Sequence, residues 1–175
     1  QGRPVSWEEG IESIHSGSHL EAPSVFVTPE LDGWVLVASS AYFDVVSDAE
    51  PDRLRRFVGD TAAQLRTEVQ FFATHRVVEG HAWAMADARG IRRAYFYLGE
   101  VDECLLDVGE KTRAEEALKC FAPGSTTVPD ESTVMQIARA WSVDPTELAE
   151  RFPQVAPGYL GTIARATSGD AEIET

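Results

Sequence analysis

Residues 68–100 read EVQFFATHRVVEGHAWAMADARGIRRAYFYLGE, and this stretch decides the fold. Aromatic and β-branched residues dominate it and recur with a period of two, and Asp87-Ala88-Arg89-Gly90 interrupts them with turn chemistry. The pattern predicts a strand over 69–74, a long strand over 76–86, a tight turn, and a second long strand over 91–98. A two-stranded ribbon alone is marginal in water, so a hairpin this long belongs in the middle of a sheet.

Strand side chains alternate between faces, so the turn position predicts a register. Centring the turn on Ala88-Arg89 sets Trp83 opposite Ala94, His81 opposite Phe96 and Glu79 opposite Leu98. One face then carries Val77, Glu79, His81, Trp83 and Met85 against Ala94, Phe96 and Leu98. The other carries Val78, Gly80, Ala82 and Ala84 against Arg93, Tyr95 and Tyr97.

Each face offers a functional reading and a structural one. On the first, Glu79 and His81 stand two residues apart and point the same way, the arrangement of a general base with its orienting partner. They are the candidate catalytic pair, and the competing reading is a Glu–His pair satisfied inside an aromatic core. His75 shares their parity but lies roughly 20 Å from His81 at strand rise, too far to share one metal ion, so no metal is expected. On the second face, small residues form a low floor beside Tyr95 and Tyr97, with Arg93 at the rim. Tyrosine, tryptophan and arginine are the residues enriched at binding hot spots, which makes Trp83, Arg93, Tyr95 and Tyr97 the candidate binding residues. The alternative is that the small residues admit a closely packed helix.

Outward from the hairpin, the signals are shorter. Ser6-Trp7-Glu8-Glu9 opens a first helix with Trp7, Ile11 and Ile14 on one side. Asp32-Gly33 between two apolar runs marks a hairpin of strands over 25–28 and 34–38, the second continuous enough to predict burial on both sides. Ser47 to Glu50 starts a helix with Leu54, Phe57, Val58 and Leu65 on its apolar face, placed to cross and cover the sheet. A further strand over 104–108 precedes a short helix begun by Thr112-Arg113-Ala114-Glu115. Residues 133–152, TVMQIARAWSVDPTELAERF, resemble a helix-turn-helix, but Glu147 and Glu150 stand where a DNA reader needs polar or basic side chains. The expected form is an α-hairpin packed on the sheet, with Ile137, Trp141 and Leu148 buried.

The sequence thus predicts a single α+β domain over 1–175, with hairpin, helix and meander in one antiparallel sheet. Residues 3–122 form its sheet-containing body, 123–164 a C-terminal helical part, and 165–175 an acidic tail.

The formal net charge of −14 over 175 residues argues against nucleic acid, whose phosphates demand basic patches, and towards basic protein partners. Cys104 and Cys120, the only cysteines, give neither a disulfide framework nor a zinc site and read as reduced thiols of a cytoplasmic protein. No apolar run approaches a membrane span, and neither a phosphate-binding glycine loop nor a nucleophile elbow occurs, so no cofactor is expected. The functional expectation is an acidic protein-binding module, monomeric or homodimeric, acting as an inhibitor or toxin-neutralising protein on a basic partner. The alternative is a small enzyme or ligand-binding protein that uses Glu79 and His81 in a pocket between sheet and helices.

Overall fold

The computed structural model describes residues 2–16, 24–39, 46, 50–152 and 157–162. The elements run β1 (Arg3–Val5), α1 (Trp7–Ser16), β2 (Ser24–Leu31), β3 (Trp34–Ala38), α2 (Asp52–Leu65), β4 (Val69–His75), β5 (Gly80–Asp87), β6 (Gly90–Leu98), β7 (Glu103–Val108), α3 (Arg113–Glu116), α4 (Glu131–Trp141), α5 (Leu148–Arg151) and β8 (Gly158–Thr162). The fold is α+β and the strands are antiparallel, but they form two four-stranded sheets where one was expected, ordered β1-β8-β2-β3 and β4-β5-β6-β7. The chain packs as two compact units, Gln1–Ala41 with Gln154–Thr175, and Tyr42–Pro153.

In the first unit, β2 and β3 form the hairpin that Asp32-Gly33 announces, with Asp32 and Gly33 both at positive φ. α1 begins after Ser6, whose hydroxyl accepts from the Glu9 amide at 3.2 Å. The helix sets Trp7 edge-on to the fully buried Phe26, with ring centroids 5.6 Å apart. Gly10 makes that approach possible, because a Cβ there would sit 2.5 Å from the Phe26 ring. β3 is an edge strand, and Val35 and Val37 are 53% and 46% exposed, which corrects the expectation of burial on both sides. Its apolar run is continuous, but among the described residues nothing covers the outward valines.

The second unit is the predicted hairpin in its predicted central place, flanked by β4 and β7. α2 begins at Asp52; the proposed start at Ser47 lies outside the described residues. Leu54, Val58 and Ala62 of α2 pack onto Ala82, Ala84, Ala86 and Phe96 of the sheet. The small residues of β5 therefore serve close helix packing, as their structural reading required.

The register departs from the expected one by a single residue. Asp87↔Gly90 and Ala86↔Ile91 pair as predicted, but Met85 then pairs with Arg93, leaving Arg92 as the extra residue of a bulge. Every later pair shifts with it, so Trp83 faces Tyr95 and His81 faces Tyr97. His81, Trp83 and Met85 thus share a face with Arg93, Tyr95 and Tyr97, and the alanines share theirs with Phe96. Glu79 is not in a strand: it sits at φ 49 in the turn between β4 and β5. The C-terminal pair is α4, capped by Asp130 and Thr133, then a 3₁₀ turn (Pro145–Glu147) running into the single turn of α5. Ile137 and Leu148 are buried as expected, whereas Trp141 is half-buried. The tail at 165–175 lies outside the described residues.

Candidate functional site

The face of the second sheet opposite α2 is covered by α3, the 3₁₀ turn Lys119–Phe121 and α4, and the four candidate binding residues lie beneath that cover. Trp83 stacks on Tyr95 with centroids 4.4 Å apart, and Phe121 meets both rings edge-on, at 6.0 and 5.3 Å. Burial pushes the Tyr95 hydroxyl far above its ordinary pKa, with the Cys104 thiol the next contributor.

Arg93 is the polar centre of this layer, with 1% of its side chain exposed. Its Nε donates to Glu115 Oε1 at 2.7 Å, and its Nη1 donates to Asp107 at 2.5 Å and to the Val108 carbonyl at 3.0 Å. Glu115, itself fully buried, also accepts from Trp83 Nε1 at 2.9 Å through the same oxygen. Its second oxygen accepts from the Thr112 amide and hydroxyl, at 2.8 and 2.9 Å, closing the capping box of α3. One carboxylate therefore caps a helix and neutralises a buried guanidinium. Charges so deep in a protein persist only when they are paired and hydrogen-bonded.

His81 and Glu79 part company in the fold. His81 is 5% exposed and shares a 3.0 Å hydrogen bond between Nδ1 and Thr74 Oγ1. Glu79 is exposed on its turn, and among the described residues no hydrogen bond joins the two. Burial lowers the His81 pKa, opposed by the charges of Asp130, Glu79 and Glu131. Because the folded pKa lies below the unfolded one, the unfolded chain binds more protons in between, and stability is lost as pH falls from the ordinary histidine range through the folded pKa. Thermal midpoints measured from about pH 7 to pH 5 should fall more steeply for the wild-type protein than for His81→Gln. Parallel slopes would remove His81 as the cause.

The end of the sheet beyond His81 is a surface of another kind. The β4–β5 and β6–β7 turns are tied together: Gly99 N donates to Glu79 O at 3.0 Å and Glu100 N to Val78 O at 3.1 Å. A Cβ on Gly99 would lie 2.6 Å from that of Glu79, so glycine is needed for the turns to meet. Asp102, at φ 53, accepts from the Tyr97 hydroxyl at 2.7 Å. Burial and this carboxylate leave the Tyr97 hydroxyl pushed up to about 12. On these turns Val77 and Val101 are 87% and 56% exposed, amid the exposed carboxylates of Glu79, Glu100, Asp102 and Glu103. Arg76, the cation of the first turn, is engaged by Glu131 through two hydrogen bonds of 2.6 and 2.9 Å.

No protein-family model, curated protein or solved structure matches this chain. Any functional reading therefore stands on these residues alone.

Sequence reasoning singled out Glu79 and Tyr97, and both belong to this end of the sheet, one on its surface and one anchoring it. It did not foresee the two valines as exposed, because Val77 was assigned to a strand. Glu115 was recognised as the start of a helix but not as the counter-ion of Arg93. A capping glutamate looks the same in sequence whether or not its second oxygen is buried.

Proposed function

We propose that the protein is an acidic protein-binding module that docks a basic protein through the paired turns at the end of its second sheet. The observation that carries this reading is the exposure of Val77 and Val101 on turns that also carry exposed carboxylates and are locked to each other by hydrogen bonds. Exposed apolar side chains accompanied by charged ones are the ordinary composition of an interface. A rigid surface loses little conformational entropy on association. Carboxylates around the valines would steer a basic partner and fix its orientation. An inhibitor or toxin-neutralising protein acts in this way, by occlusion and without chemistry of its own.

The test begins with affinity capture from cells and continues with association kinetics of the purified partner. Reversing three charges, Glu79→Lys, Glu100→Lys and Glu103→Lys, should slow association at least about tenfold while leaving the thermal midpoint in place. Raising salt should slow the wild-type protein towards the rate of the variant as the Debye length shrinks. A partner whose association ignores both the charge reversal and the salt would overturn the proposal.

A further inference from the structure

A second, chemically opposite site lies in the same unit. An open cleft of about 500 Å³ is lined by Met85, Trp141, Ala114 and Ala140 together with Arg92 and Arg113, and by Glu68 and Thr112 at its polar margin. Buried Met85 is its base; the two alanines leave room, and the half-buried Trp141 supplies an aromatic wall held by a 3.3 Å hydrogen bond from Nε1 to Thr112.

The charge of the cleft runs against that of the chain. Arg92 is the extra residue of the β5–β6 bulge, and bulges re-aim side chains. Among the described residues it pairs with one carboxylate, Glu68, at 3.3 Å, and the other Glu68 oxygen accepts from Gln70 Nε2 at 2.8 Å. Arg113 is exposed and pairs with no carboxylate among the described residues. In a protein of net charge −14, two arginines facing one apolar cleft are a local exception.

Beneath the cleft, Met85 stands in a cross-strand row between Gln70 and Arg93. Gln70 donates to Glu68 and to the Trp141 carbonyl, which sets the orientation of its amide, yet its buried Oε1 has no hydrogen-bond partner. On the other side of Met85, the buried Nη2 of Arg93 has none either. Gln70 and Arg93 flank Met85 beneath the cleft without lining it, so the cleft's own charged lining is Arg92, Arg113 and Glu68.

We infer that this cleft binds a small aromatic carboxylate, its ring against Trp141 and Met85 and its charge held by Arg92 and Arg113. Guanidinium groups bind carboxylates through paired, charge-assisted hydrogen bonds and tolerate an adjacent aromatic plane. This site is independent of the acidic turns and of the partner proposed for them.

The probe is 8-anilinonaphthalene-1-sulfonate, an aromatic anion whose fluorescence reports binding, used on the full chain with near-UV circular dichroism to verify native packing. The expected result is saturable binding at one site, displaced by benzoate and not by the neutral isostere benzyl alcohol. Arg113→Ala and Arg92→Ala should each weaken binding about tenfold or more, and Arg53→Ala, an exposed arginine on α2, should leave it unchanged. Ala140→Trp, a substitution at an exposed position, should fill the cleft and abolish binding without unfolding the protein. The inference fails if binding is unsaturable, if benzyl alcohol displaces the probe as well as benzoate does, or if Ala140→Trp and Arg113→Ala bind it like the wild type.

Discussion

Glu115→Ala is expected to lower the free energy of unfolding by about 3–5 kcal/mol, the cost of taking from a buried guanidinium the buried one of its two carboxylates and leaving only the half-exposed Asp107. Glu115 accepts hydrogen bonds from Arg93, Trp83 and Thr112, and both it and Arg93 are excluded from solvent. Its removal leaves the guanidinium with Asp107 as its one remaining carboxylate among the described residues, frees the indole N–H and breaks the cap of α3 together. Urea denaturation at neutral pH measures the loss, and an unfolding free energy reduced by less than about 1 kcal/mol would show that the pair is not a buried one. The informative companion is Arg93→Met with Glu115→Leu. Replacing both charges by apolar side chains of similar volume should recover the part of the loss that comes from the buried charge, while the unpaired indole N–H and the broken cap remain as the residual cost.

Trp83→Ala should cost a similar amount, about 3–5 kcal/mol, for a different reason. Trp83 is fully buried between Tyr95 and Phe121, and truncation leaves a cavity that the paired strands cannot close. Trp83→Phe keeps a six-membered ring in the stack but loses the pyrrole part of the indole with its donor to Glu115, so it should cost less than the alanine substitution, about 1–3 kcal/mol. If the two substitutions proved equally damaging, the hydrogen bond rather than the packing would dominate. The effects of Trp83→Ala and Glu115→Ala should not add, because the two side chains share a contact.

The sequence made the class of the fold legible, and the reason is residues 69–98. A period of two sustained over two long strands, with Asp87 and Gly90 at the turn, admits little else, and the turn pairing is as predicted. What failed was parity beyond Arg92. A bulge inserts one residue and leaves no compositional trace, yet it exchanges the faces of everything behind it, so Trp83 and Tyr95 were assigned to opposite sides when they stack. β1 and β8 were missed because Arg3-Pro4-Val5 and Gly158 to Thr162 are too short to show a period. The candidate site was half legible. Glu79, read as a catalytic base, and Tyr97, read as a binding residue, both fall at the end of the sheet that carries the paired turns, but the exposure of Val77 depends on where a turn begins. Likewise the pairing of Arg93 with Glu115 joins residues that only the folded sheet and α3 bring together.

The strand order β1-β8-β2-β3 has a consequence for how the protein is made. β8 occupies an inner position in a sheet whose other strands are synthesised first, and it emerges from the ribosome only after the whole of the second unit. Until then β1 has no strand to pair with, and β2 presents a bare edge beside the valines of β3. The segment carrying β1, β2 and β3 therefore remains an incomplete sheet with reactive margins while the second unit is synthesised, a condition under which strands are prone to join the wrong neighbour. Residues 42–153, by contrast, have all their strand partners within one continuous stretch and can complete their sheet while the rest is still being built.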